Sequence, residues 1–208
     1  WPIHIQHIST AYSVAVVRAA RAEGLPVSAE ASPHHICLTE ECCASHGANA
    51  KMNPPLRTEA DRQAILAGLA DGTICAIATD HAPHAAEEKA LGMEKAPFGV
   101  IGLEAAVALC LTKLVHGGVL SLAEFVARFT AGPRNILSLE EGTLTPGLSA
   151  DVTLLNPEAR HVLRTAEFRS RSLNCPYDGM ECRGRVEGTL LAGQWVFSRL
   201  PGILGPVR

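Results

Sequence analysis

The sequence predicts an α/β fold in which short parallel strands alternate with helices and a small β layer follows. Three observations carry that prediction. Apolar spacing switches repeatedly between strand and helix periods from Ile3 to Asp80. The run Cys75-Ala76-Ile77-Ala78-Thr79 is continuously apolar, as a strand buried on both faces requires. After Pro133 the texture changes to short strand-like stretches separated by Gly and Pro.

Ile3-His4-Ile5-Gln6-His7 alternates and reads as the first strand. Ser9 and Thr10 offer hydroxyls for an N-cap, and Val14, Val17 and Ala20 recur at helical spacing over residues 11–22. Gly24 ends that helix and Pro26 follows it. Residues 27–31 read as the second strand, and a loop holds Pro33-His34-His35. Residues 58–72 form a helix with Ile65, Leu66 and Leu69 on one face, and the third strand runs into Asp80. This succession is the beat of an α/β barrel or a doubly wound sheet. Residues 82–99 lack periodicity and carry charge and Gly, so they read as a long loop of the kind that forms lids. Residues 99–117 and 121–130 are predicted helices, the second capped by Ser121 with Glu124 three residues on. Residues 142–144, 150–155 and 185–197 read as strands. A boundary near Leu139 divides the chain into residues 1–139 and a C-terminal β-strand region, residues 140–208.

Composition narrows the function classes. With 47% hydrophobic and 19% charged residues the chain has an ordinary soluble globular make-up. A net charge of -3 gives nucleic acid or an anionic membrane surface no attraction, and 4% aromatics offer few bases a stacking partner. No apolar run is long enough to span a bilayer, and Trp1-Pro2-Ile3-His4 lacks the basic-then-apolar pattern of a secretory leader. The 7 cysteines are scattered without paired C-x-x-C motifs, as expected of free thiols in a reducing compartment. The expected location is cytoplasmic.

The reactive residues fall at strand ends, where barrel enzymes place their chemistry: His7 after the first strand, His34-His35 after the second, Asp80 after the third. In Ala78-Thr79-Asp80-His81-Ala82-Pro83-His84 an Asp ends a buried strand, which is costly without a cation or metal beside it. Such a carboxylate can bind a metal and take a proton from water. The plainer alternative is a capping Asp with His81 and His84 as solvated loop residues. His4 and His7 lie three apart, so on a strand they face opposite sides; His7, at the strand end, is the candidate metal ligand. A lone strand histidine is otherwise a packing residue. In Lys51-Met52-Asn53-Pro54-Pro55-Leu56-Arg57 the Pro pair fixes the backbone and presents Asn53 and Arg57. Asn53 offers both donor and acceptor to an imide or ureide edge. Arg57 can bind a carboxylate or form a surface ion pair. His34-His35 could be ligands too, but the favoured reading is that they shape the loop beneath the site.

Together with Lys95-Ala96-Pro97-Phe98-Gly99, these motifs, His7-Ile8-Ser9-Thr10 and Ala31-Ser32-Pro33-His34-His35-Ile36 included, resemble the dihydroorotases of the cyclic amidohydrolase superfamily, in the family's order. Gly142-Thr143-Leu144, Pro146-Gly147 and Ala150-Asp151 resemble the start of the superfamily's C-terminal β region. The resemblance implies the C-terminal part of a TIM-type (β/α)8 barrel, strands 6 to 8, followed by a small β layer. It implies a centre of two zinc ions, with His7 a ligand to one and Asp80 a ligand to the other and also the proton-shuttling catalytic base. It implies substrate contacts from Asn53, His84, Phe98 and Gly99. His4, His34, His35, His81 and Arg57 receive no site role from it.

The family's earlier half, with its His-x-His strand, bridging ligand and substrate-binding Arg and Asn, has no counterpart in these residues. The chain is therefore expected to be part of a longer protein and, by itself, inactive. The implied reaction interconverts (S)-dihydroorotate and N-carbamoyl-L-aspartate in pyrimidine biosynthesis. The implied partner is a small-molecule substrate, with a homo-oligomer or association with another pyrimidine-pathway enzyme as the protein-level alternatives. A hydantoinase or allantoinase, and a non-catalytic dihydroorotase-like subunit, stand as rival readings.

Overall fold

The computed structural model describes residues 1–139 and 142–203. Its first half is a parallel three-stranded sheet in the order β1 (Ile3–Ile5), β2 (Val27–Ala31), β3 (Ala76–Ile77). Ile5 stands opposite Ala29, and Ala31 opposite Ile77. The outer strands are shorter than their apolar patterns. His7 and Asp80 adopt φ of 50° and 48°, and a left-handed residue cannot continue a pleat.

The helices follow their capping signals. In α1 (Ala11–Ala22) the Thr10 hydroxyl accepts from Ser13 N at 3.0 Å, and Val14 and Val17 turn inward. Pro33-His34-His35 belongs to a short buried helix, α2 (Pro33–Cys37), rather than a loop, and Pro at its first position fits because that N–H would lack a partner anyway. After α3 (Cys42–His46) comes α4 (Glu59–Ala70), capped by Thr58. Asp61 near its start also accepts from Ala11 N at 2.9 Å, tying α4 to the first residue of α1.

The expected long loop of residues 82–99 contains two single turns, α5 (Ala86–Lys89) and α6 (Gly92–Lys95). The helix expected from residue 99 starts only at α7 (Ala106–Cys110) and continues as a π-helical turn, Leu111–Val115. The reason is tertiary: Val100 forms a parallel bridge with His81, so this stretch must stay extended. α8 (Leu122–Phe129) carries the predicted Ser121–Glu124 capping box. α9 (Ala131–Leu137) accommodates Pro133 in its first turn, where the missing N–H costs nothing.

The C-terminal region is an antiparallel sheet, ordered β4 (Val152–Val162), β5 (Glu181–Leu191), β6 (Gln194–Ser198). Residues 142–144 are not a strand. The expected strand at 185–197 is two strands joined by Ala192-Gly193, with φ of 48° and 77°, the positive pair a tight hairpin needs. Leu163, Cys175, Tyr177 and Cys182 from this region join Ile36, Leu109 and Leu111 in one hydrophobic core. All 7 cysteines are free thiols. No helix among the described residues is long and apolar enough to cross a membrane.

Candidate active site

The parallel strands deliver their polar followers to one end of the sheet. His7 Nε2 lies 3.7 Å from Asp80 Oδ1, and His34 Nε2 lies 3.9 Å from Asp80 Oδ2. The left-handed backbone at His7 and Asp80 costs on the order of 1–3 kcal/mol per residue, which persists only where the surroundings impose it.

Glu30, on β2 and 7% exposed, sits behind this pair. Its carboxylate accepts from His4 Nε2 at 3.0 Å and lies 2.9 Å from His7 Nδ1. The second contact is electrostatic rather than a directed hydrogen bond, since Glu30 Oε1 has no aligned donor. The expectation that His4 and His7 face opposite sides is thereby corrected. β1 ends at Ile5, alternation does not extend through a left-handed residue, and both rings turn to one carboxylate. A carboxylate against one nitrogen of an imidazole favours one orientation of the ring and leaves the other nitrogen to face elsewhere. Here that other nitrogen, His7 Nε2, is the one near Asp80.

Burial, reinforced by Glu30 and opposed by His7, pushes the Asp80 carboxyl above its ordinary 3.8. Burial holds His34 well below 6.5, with His35 and His7 adding to the effect. His34 is 1% exposed and its Nε2 has no hydrogen-bond partner. A neutral imidazole with an orphaned nitrogen beside a carboxylate is a donor set for a divalent metal. Separations of 3.7 and 3.9 Å bring these donors close enough to serve one metal centre. They fit part of a site only. Among the described residues no group of three or more His, Cys, Asp or Glu side chains is gathered to hold a metal by itself.

His35 serves a different purpose. Its Nε2 donates to Pro54 O at 2.9 Å, joining α2 to the Asn53-Pro54 turn, and burial lowers its pKa to about 4. Because the folded value lies below the ordinary 6.5, its contribution to stability is complete above pH 6.5 and is lost as pH falls toward 4. The loss is on the order of 3 kcal/mol. Denaturant midpoints measured from pH 8 down to about 4 will show it. His35→Leu is expected to flatten that fall, and an unaltered slope would rule out His35 as its source.

A second cluster gathers the other residues singled out in the sequence. His84 Nε2 donates to Phe98 O at 2.8 Å. Gly99 N donates to Lys51 O at 2.9 Å, and the Lys51 ammonium stands 4.6 Å from the centre of the Phe98 ring. Asn53, two residues from Lys51, and Phe98 are both exposed. Gly99 has φ of 124°, and a Cβ there would lie 2.5 Å from Ala82 Cβ. Gly99→Ala is therefore expected to lose about 2–6 kcal/mol in urea unfolding; a wild-type midpoint would refute the close approach. His81 Nδ1 accepts from Gly102 N at 3.2 Å and Leu103 N at 3.3 Å, and Arg57 Nε reaches Ser9 Oγ at 3.5 Å, so both act in loop architecture. His84 also lines a cavity of about 320 Å³ with His46, Asn49, Lys89 and Asn174; neither His7 nor Asp80 borders it.

Residues 3–196 match the profile of the amidohydrolase family. The chain belongs to that family. As a family member it is related to a protein named dihydroorotase from Pelotomaculum thermopropionicum, 44% identical over 194 residues, covering 93% of this chain and 45% of that relative. A dihydroorotase from Halalkalibacterium halodurans is 46% identical over 194 residues, with the same coverage of 93% and 45%. The chain thus spans about half the length of the curated relatives it matches. Among solved structures, the L-hydantoinase of Arthrobacter aurescens superposes with a TM-score of 0.89 at 28% identity, over 97% of this chain and 46% of that one. The fold is α/β of the TIM-barrel type that this superfamily shares.

Glu30 and Asn174, which the sequence reading did not single out, stand at these clusters, and His34, placed beneath the site, lies against Asp80. The Pro-His-His motif drew attention to His34, but no local pattern distinguishes it from His35, and nothing local marks Glu30 or Asn174.

Proposed function

We propose that this chain is the C-terminal part of a zinc-dependent dihydroorotase, with β1, β2 and β3 as barrel strands 6 to 8. Residues 1–139 belong to the barrel and residues 140–208 to the C-terminal β-strand region. The observation that carries the reading is the approach of His7 and His34 to Asp80, at 3.7 and 3.9 Å, on one end of a parallel sheet. The resemblance to proteins named dihydroorotase selects the substrate.

His7, Asp80 and His34 would hold zinc, two ions in the complete site together with ligands from the rest of the protein. Zinc bound there would supply Lewis acidity, polarising an amide carbonyl and bringing the pKa of bound water down to about 7. The chain's own residues do the rest. Glu30 orients the His7 ring. Asp80, with its raised proton affinity, takes the proton of the attacking water at its carboxylate and returns it to the leaving nitrogen. Asn53, His84, Phe98 and Gly99 hold the (S)-dihydroorotate ring in place. The location is cytoplasmic and the partner a small-molecule substrate, with self-association or docking to another pyrimidine-pathway enzyme as the protein-level alternatives. The 208 residues by themselves have no turnover, because their donors supply only part of a metal shell.

Assaying the full-length protein against dihydroorotate, hydantoin and allantoin, with metal analysis, tests this. Turnover of dihydroorotate above both others, with zinc near two per chain, is expected. Preference for hydantoin, or a metal-free protein without turnover, would overturn it.

A further inference from the structure

We propose that Asn174 is a positioning residue that locks the two substrate-contacting loops together; this rests on the functional reading above. Asn174 lies beyond the expected boundary near Leu139, in a stretch with no helix or strand, and is 5% exposed. Its side chain spans two loops that are distant in sequence. Oδ1 accepts from His84 N at 3.1 Å, while Nδ2 donates to Ala82 O at 3.0 Å and to Gly99 O at 3.2 Å. Its own backbone carbonyl accepts from Ile101 N at 3.0 Å. One residue therefore fixes both ends of the His84–Phe98–Gly99 arrangement.

The two loops also touch directly, through the His81 contacts already described and at two further points. Ala82 N donates to Val100 O at 2.9 Å, and His84 Nε2 donates to Phe98 O at 2.8 Å. Asn174, from a third segment of the chain, bonds to both loops. An amide suits this task because it carries an acceptor and two donors in one rigid plane. Alanine would strand one N–H and two carbonyls in a largely buried place. Aspartate would keep the acceptor but set negative charge against two carbonyl oxygens. Gly99 also fits, since only a residue without Cβ comes this close to Ala82. The C-terminal region thus contributes to active-site geometry without touching the reacting atoms.

The test uses Asn174→Ala and the isosteric Asn174→Asp in the full-length protein, read by steady-state kinetics with dihydroorotate, zinc content, and amide hydrogen exchange. Both variants are expected to raise KM at least tenfold while kcat stays within about threefold and zinc content is unchanged. Exchange at the His84 amide is expected to accelerate at least tenfold, with the β2 amides unaffected. Wild-type KM, or unaltered exchange at His84, would overturn the proposal. Loss of the folded state in both variants would overturn it too, because Asn174 would then be a general stability residue. A wild-type protein that does not turn over dihydroorotate would overturn only the functional reading, and exchange at His84 would still decide whether Asn174 holds the loops.

Discussion

Asp80→Asn in the full-length protein is expected to lower kcat for dihydroorotate at least ~10³-fold while leaving the unfolding midpoint close to wild type. Asparagine is the sharper substitution than alanine here. Asp80 sits at φ 48°, a conformation that Asn tolerates and that costs Ala about 1 kcal/mol or more. Asn keeps the shape and removes the negative charge, and with it both the proton acceptor and the carboxylate ligand. The direction of the stability change follows from the site's charges. Burial and Glu30 oppose ionisation of Asp80, so neutralising it relieves a cost while giving up its attraction to His7. The net direction is a cost of ionisation, so neutralising Asp80 does not lower stability and the kinetic loss stands alone. A variant with more than a tenth of wild-type turnover would remove Asp80 from catalysis and take the proposed mechanism with it.

The second large effect concerns His34. His34→Leu is expected to cost about one zinc per chain and at least ~10³-fold in turnover, while leaving the metal-free protein as stable as wild type or more so. This opposition of signs is the diagnostic. His34 is a buried imidazole whose Nε2 has no partner, 3.9 Å from Asp80. A buried polar nitrogen without a hydrogen bond costs free energy, so an apolar side chain of similar size is tolerated or preferred by the fold. The proposed zinc ligation would account for the imidazole. Calorimetry of the metal-free variant gives the stability arm, and metal analysis with kinetics gives the other. Full activity with normal zinc would make His34 a packing residue; a collapsed midpoint would mean its ring fills space that leucine cannot.

The single chain of residues determined a good deal on its own. The caps at Thr10, Thr58 and Ser121, the helical spacing of Val14 and Val17, and the apolar run before Asp80 are local energies, decided within one or two turns. They marked α1, α4, α8 and the parallel strands, and they put His7 and Asp80 at strand ends. Tertiary structure decided what local energy does not encode. Turning His4 toward the same carboxylate as His7 required β1 to stop at Ile5. That His34 rather than His35 faces Asp80 depended on how α2 packs, since adjacent helical residues point in different directions. Keeping residues 99–105 out of a helix required the bridge between Val100 and His81. Asn174 reaches His84 across 90 residues. Contacts at such separation form only after the chain has closed its loops, and the side chains that make them leave no periodic trace in the sequence.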